Sequence, residues 1–246
     1  MQSIMYDQFN KFEDDHWWFQ GRKDIILSLI DRYYKPGAHS KVLDIGCGTG
    51  MMLKNLSRYG EAWGIDNEPK AIEYAKAKAP AAKIMLGTFP PEKPREKFDL
   101  ITALDVLEHS DDDQKFLECA NEILNKGGLL VLTVPAYSFL WTSHDDLNNH
   151  KRRYSLYDLR KKVIKAGFKI KKISYYNNLL FVPAAFVKIM QRWFLPSSKE
   201  SHFKNGLPPH FINSSLKLIF SSEKYLLSLI NFPFGISIIA VASKRY

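Results

Sequence analysis

The chain has 246 residues, 46% of them hydrophobic, and its 35 lysines and arginines against 26 acids give a formal net charge of +9. That length and apolar content suit one large domain with a sizeable core, and only two cysteines, Cys47 and Cys119, argue against a disulfide framework and fit a reducing compartment. The longest apolar stretch, 179–195, is broken by Pro183, Lys188 and Arg192 and makes a poor membrane span, while the acidic start (Asp7, Glu13, Asp14, Asp15) does not read as a signal peptide, so the expected setting is cytoplasmic.

In chain order, short apolar runs alternate with helical patterns, which predicts an α/β fold with a mostly parallel sheet. "KVLDIG" (41–46) reads as a buried strand and "TGMMLKNLSRYG" (49–60) as a helix closed by Gly60. "EAWGID" (61–66) is a second strand, followed by the alanine-rich helix "PKAIEYAKAKA" (69–79). "AKIML" (82–86) and "FDLITAL" (98–104) are the third and fourth strands. The stretch 111–128 reads as a helix with acids in its first turn and Gly127–Gly128 as its stop. "LLVLTVP" (129–135) is the fifth strand. Ser155 with Asp158 three residues later is a capping-box pattern for a helix that stops at Gly167. The lysine-bearing strand 168–176 suits a sheet edge, and 235–245 forms a final strand. Between them, 178–233 breaks the rhythm with aromatic, proline- and serine-containing segments, and reads as a helical insertion.

The chemistry is carried by "VLDIGCGTG" (42–50), which sets Gly46, Gly48 and Gly50 between a strand and a helix. Glycines there permit tight turns and close approach of a ligand at the strand's carboxyl end. Asp66 follows Gly46 by twenty residues at the end of the second strand, where a carboxylate accepts hydrogen bonds from ribose hydroxyls. A dinucleotide fingerprint wants its third glycine one residue later, with a helix N-terminus free to receive pyrophosphate. Here the acid Asp44 stands just before the turn. It would repel a pyrophosphate but suits a cationic amino-acid ligand.

With these residues the chain resembles the class I S-adenosylmethionine-dependent methyltransferases. "LDIGCGTG", "GIDNEP", "FDLITALDVLEH" and "GGLLVLTVP" carry the resemblance, over about 41–176 and the last strand. More narrowly, "HWWFQGR" (16–22), "HDDLNNHKRRYS" (144–155) and "FPFGISIIAVASK" (232–244) resemble a bacterial and archaeal subgroup related to quinone-biosynthesis-type methyltransferases. The resemblance implies a Rossmann-like seven-stranded sheet with helices on both faces and the last strand antiparallel. It implies a helical lid at 1–40, a Rossmann-like domain at 41–177 and 234–246, and a helical cap at 178–233. It assigns Gly46, Cys47, Gly48 and Gly50 to the amino-acid part of the cofactor, with Asp44 beside them. Asp66 and Asn67 go to the ribose, and Asp105 flanks the methionine moiety. Arg22, with Trp18 in the lid, would pair with the cofactor's carboxylate. Many relatives carry an acid after the third strand for the adenine amino group. This chain has "LGTF" there, so Thr88 or a backbone carbonyl would substitute.

A sulfonium donor is already activated, so such an enzyme mainly aligns an in-line displacement and removes a proton where the nucleophile needs it. The candidate bases are Glu108, His109 and His144. His150, Arg152, Arg153 and Tyr154 are candidates for gripping the acceptor, the arginines because their planar forks match carboxylate or phosphate. The alternative for this loop is structural anchoring. Metal binding through His144, Asp145 and His150 lacks the i, i+4 pairing of a helical metal motif, so no metal site is expected. Ten basic residues in 151–172 face one acid, Asp158, and account for the whole positive balance. The expected acceptor is a small or lipid-linked molecule, with contact to the inner face of a membrane as a further expectation. An RNA methyltransferase and a cofactor-binding protein without transferase activity are the rival readings. Against RNA, no nucleic-acid module is appended and no "NPPY"-type motif follows the fourth strand.

Overall fold

A computed structural model describes residues 3–91, 96–182, 185, 186, 190 and 206–245. The apolar runs become seven strands: β1 (Lys41–Ile45), β2 (Glu61–Asp66), β3 (Lys83–Leu86), β4 (Phe98–Leu104), β5 (Leu124–Pro135), β6 (Phe168–Tyr176) and β7 (Ser237–Lys244). They form one sheet in the order β3-β2-β1-β4-β5-β7-β6. β1 to β5 pair in parallel, whereas β7 runs antiparallel between β5 and β6. Strands β4, β5 and β7 are nearly continuous in burial because helices cover both faces. The lysines of β6 lie on the outermost strand, where an edge needs charge to discourage further pairing.

The helices are α1 (Ser3–Phe12), α2 (Trp17–Tyr33), α3 (Met51–Leu56), α4 (Pro69–Lys78), α5 (Asp113–Ile123), α6 (Ser143–Leu147), α7 (Leu156–Lys165) and α8 (His210–Leu229). α7 starts as its capping box requires, with the Asp158 N–H donating to Ser155 Oγ at 3.1 Å. α5 ends earlier than its glycines suggest. Leu124 pairs with Phe98 and Leu129 with Leu100, so the residues between them bulge out of β5. Gly127, at φ +74°, and Gly128, packed against the Asp99 carbonyl, serve that bulge rather than a helix stop.

The first forty residues do two different things. Ile25, Ile26, Leu29 and Ile30 of α2 are fully buried, so α2 belongs to the core of the sheet domain. α1 and the turn after it lie over the glycine turn instead. Glu13 accepts from Thr49 Oγ1 at 2.5 Å and pairs with Lys78, while Asp7 accepts from Tyr74 and Lys70 of α4.

α8, in the expected insertion, packs along α2. A Cβ on Gly21 would come within 2.6 Å of Phe220 Cδ1, so the glycine is what lets the two helices meet. Asn213 accepts from the Trp17 N–H and donates to the Asp15 carbonyl, and Ser221 donates to Asp24. The Phe220 ring stacks 6.2 Å from that of Tyr176. Within the expected cap, 183–184, 187–189 and 191–205 lie outside the described residues.

Candidate active site

The chain reverses its direction across the sheet between β1 and β4, which flank each other while their following connections leave on opposite sides. In an open α/β sheet such a switch point opens a crevice at the carboxyl ends of the strands, where ligands bind. The β1 turn enters it. Gly46 has φ +70°, and a Cβ there would sit 2.4 Å from Val106 Cγ2, so only glycine fits between β1 and the β4 loop. Gly48 has φ +52° and nothing within 4 Å of where a Cβ would be, so its backbone faces open space.

Three carboxylates surround this turn. Asp66, at the end of β2, accepts the Gly48 N–H on one oxygen at 2.9 Å and the Glu68 N–H on the other at 3.0 Å. Asn67 beside it is exposed, and Thr88, past the end of β3, is exposed at the rim. Asp44 is buried beneath the turn, accepting from Thr102 Oγ1 at 2.6 Å, and burial pushes its carboxyl up to about 7. Cys47 is buried next to these acids. Burial and the nearby Asp44 and Asp66 charges hold its thiol protonated, so it packs and does not act as a nucleophile.

Asp105 follows β4 in a left-handed conformation, φ +57°. Its carboxylate is held by Arg22 at 2.7 Å and by Thr133 Oγ1 at 2.9 Å, and Arg22 also donates to Thr133 at 3.0 Å. The Arg22 guanidinium lies 5.2 Å from the Trp18 ring, and its buried Nε has no hydrogen-bond partner among the described residues. Arg22, from α2, thus has Asp105 as its ion-pair partner, where the resemblance implies the cofactor's carboxylate.

Glu108 and His109 follow in a short 3-10 turn, Leu107–His109. Glu108 is fully buried, and burial, reinforced by Asp105, pushes its carboxyl well above the usual range. Burial and then the neighbouring His150 bring His109 down to about 4, which leaves it neutral at physiological pH. The His109 and His150 rings meet edge to face, centroids 4.9 Å apart.

The segment 143–155 is bound tightly to the protein. Asp145, fully buried, takes a bidentate pair from Arg153 at 2.8 and 2.9 Å and a 2.8 Å contact from His150 Nδ1. Burial alone would raise the Asp145 carboxyl, but His150 and Arg153 outweigh it and hold it well below the usual range. Arg153 also donates to the Ala136 carbonyl, and the Lys151 N–H donates to the Glu108 carbonyl at 2.9 Å. Tyr154 is buried with its hydroxyl 2.9 Å from Asp113, which also pairs with Arg152 and Lys162. Arg152, Arg153 and Tyr154 therefore point onto protein partners, which makes them anchors of the segment rather than a free grip for an acceptor. His150 alone of the four opens towards Glu108 and His109. His144 lies in α6, and its side chain is outside the described residues.

Sequence reasoning passed over Glu13, Thr133 and Asp113 as members of the site and its supports, and weighed Asp145 only as a metal ligand, not as the partner of Arg153. Asp145 and Arg153 stand eight residues apart with no periodic relation, so only the folded loop brings them together. The acids at 145–146 followed by the basic run 151–153 are the signal that the sequence carries.

The chain matches a model of the family described as "Methyltransferase domain" over residues 16–173. It is 36% identical over 127 residues to the ubiquinone biosynthesis O-methyltransferase of Pelagibacter ubique, an alignment covering 48% of this chain and 52% of that protein. The chain thus spans about half the length of the curated relatives it matches. The fold is similar to a TehB-like SAM-dependent methyltransferase from Corynebacterium glutamicum, with TM-score 0.55, 19% identity and coverage of 90% and 88% of the two chains. It is also similar to an S-adenosylmethionine-dependent methyltransferase from Clostridium acetobutylicum, with TM-score 0.57, 13% identity and coverage of 91% of each chain.

Proposed function

The chain belongs to the methyltransferase-domain family, whose methyl donor is S-adenosylmethionine, and from that membership we propose that it methylates an oxygen of a small, lipid-like acceptor. The observation that carries the reading is the glycine turn after β1, bonded to Asp66 through the Gly48 N–H and packed through Gly46 on Val106, the neighbour of the Arg22-paired Asp105. The oxygen is favoured because the Pelagibacter ubique relative is named an O-methyltransferase.

The residues present fit the donor. Gly48 leaves space where any side chain would intrude, and Asp66 beside it offers a carboxylate to a ligand's hydroxyl or ammonium groups, while Asp44 is raised to about 7 and Asp105 is paired with Arg22. Arg22 offers an unpartnered buried Nε near the same place. When bound, the donor supplies a methyl group on an electron-poor sulfur, open to in-line displacement. The chain supports this by positioning and by screening. Asp66, fixed by two backbone N–H groups, is preorganised to accept from ribose hydroxyls. The Arg22–Asp105–Thr133 group holds the β4 turn in one geometry, and α1 with Glu13 and Thr49 shields the glycine turn from water. At about 4 the His109 imidazole is a weak base, so the reaction rests on alignment of the acceptor rather than on proton removal by this residue.

The test is incubation of the protein with methyl-labelled S-adenosylmethionine and fractionated cell extract, followed by identification of the labelled product. Label on an oxygen of a small or lipid-like molecule is expected. Absence of S-adenosylmethionine binding, or label in RNA alone, would refute the proposal.

A lipid-linked acceptor is favoured by one feature of α8. Phe211, Leu218 and Leu229 on its outer face are 80%, 73% and 75% exposed, with Lys217 and Lys224 close by. Among the described residues no helix is long and apolar enough to cross a membrane, but such a face suits lying on one. Flotation with anionic vesicles is expected at low salt and reduced at high salt. No flotation at either salt would rule out the membrane contact.

A further inference from the structure

Glu108, His109 and His150 each offer a ligand atom, and these atoms lie within 4.8 Å of one another. We propose that the three residues form a divalent metal site, of the kind taken by Zn²⁺ and related first-row ions, on the wall of the crevice beside Asp105.

Both carboxylate oxygens of Glu108 are fully buried and have no hydrogen-bond partner among the described residues. A buried carboxyl without a partner is costly, and one in a native fold calls for an explanation. Two imidazoles, of His109 and His150, have a ring nitrogen within 4.8 Å of it. His150 Nε2 stands 3.9 Å from Glu108 Oε1, too far for a hydrogen bond and close enough for both to bind one ion. Zinc ligands around a tetrahedral ion lie about 3.4 Å apart, so small side-chain rotations bring the group to coordination distance.

The outer partners are those a metal-binding histidine uses. His150 Nδ1 contacts Asp145 Oδ1 at 2.8 Å, and Arg153 keeps Asp145 ionised and immobile. This arrangement makes Nδ1 the protonated nitrogen and directs the lone pair of Nε2 towards Glu108, the carboxylate–histidine relation found around bound zinc. His109 has a comparable tether through the backbone of Asn149, which takes the left-handed conformation at φ +56°. Two rigid connections set the group in place: the 3-10 turn after β4 and the Lys151 N–H bond to the Glu108 carbonyl. Two nitrogens and one oxygen are three protein ligands, which leaves at least one coordination position open, as in catalytic rather than structural zinc sites. That the open position meets an acceptor oxygen rests on the methyl-transfer reading above. The site itself rests only on these side chains.

The test uses the untagged full-length protein stripped of metal. Titration with Zn²⁺ by calorimetry and with Co²⁺ by visible absorption should each give one bound equivalent, with d–d bands of a nitrogen–oxygen site for Co²⁺. Glu108→Gln and His150→Ala should each abolish the bands or weaken Zn²⁺ binding at least 100-fold. Asp145→Asn should weaken it about 10–100-fold through the orientation of His150. His39→Ala, on an exposed surface, should change nothing. Thermal melts of each variant separate loss of the site from loss of the fold, and Glu108→Gln keeps the shape of the side chain if His150→Ala fails to fold. Stoichiometry and bands unchanged in both ligand variants, or no saturable binding by the parent protein, would overturn the proposal. S-adenosylmethionine binding measured on the same samples stands apart: its loss would count against the methyl-transfer reading and leave the metal result as found.

Discussion

Gly46→Ala should damage the protein in two separable ways, because the structure gives the added methyl two separate problems. The backbone at this position has φ +70°, where an L-residue costs about 1–2 kcal/mol. The new Cβ would also sit 2.4 Å from Val106 Cγ2 and 3.2 Å from Val106 Cγ1, well inside ordinary carbon contact. Over-packing of this kind costs about 1–3 kcal/mol. Together they predict a loss of about 2–5 kcal/mol in denaturant unfolding. Val106→Ala removes both γ-methyls and leaves only its Cβ, 3.4 Å away. In the double variant the clash disappears but the backbone strain remains. The double variant should therefore be about 1–3 kcal/mol more stable than the two single losses predict by addition. Calorimetry should show the same pattern for S-adenosylmethionine, since the displaced turn carries the Gly48 N–H away from Asp66. A cost below about 1 kcal/mol for Gly46→Ala, or additivity within about 0.5 kcal/mol in the cycle, would refute the close packing of the glycine turn on the β4 loop.

Asp44→Asn tests the buried acid through pH. Its folded pKa of about 7 lies above its ordinary value of 3.8, so the folded state binds a proton that the unfolded chain releases. Stability should then fall as pH rises from about 4 to 7 by an amount on the order of 3 kcal/mol, and the asparagine variant, measured by denaturant melts without cofactor, should lose that slope; an identical slope in both proteins counts against it. Arg153→Met should destabilise the fold by about 3–5 kcal/mol, because the fully buried Asp145 loses its bidentate partner; an unchanged unfolding midpoint would mean that the pair does not anchor the segment. Asp66→Ala should weaken S-adenosylmethionine binding by about 1–3 kcal/mol, as the loss of charged hydrogen bonds predicts, with no gain in affinity for NAD; equal dissociation constants would remove Asp66 from the ribose site.

The sequence by itself determined most of the strands, the sheet edge and the glycine turn. Strands buried on both faces must be apolar throughout, so "FDLITAL" marks β4 to the residue. A chain that must take positive φ beside a ligand uses glycine, so Gly46 and Gly48 declare the turn without any fold in hand. Ser155 and Asp158 declare the start of α7 because a helix end must satisfy its own N–H groups locally. Tertiary structure decided what depends on contacts between distant residues. Gly127 and Gly128 fit a helix stop equally well by local rules, and only the pairing of β4 with β5 makes them a bulge. Gly21 gave no sign of its role until Phe220 packed against it from α8. Arg152, Arg153 and Tyr154 carry groups suited to a ligand, but burial beside Asp113 and Asp145 requires those groups to pair within the protein. Glu108 and His109 stand some forty residues before His150, and no periodicity links them. A loop tied by Lys151 to Glu108 and by Arg153 to Asp145 brings them together, because side-chain chemistry depends on distance in space and sequence patterns record distance along the chain.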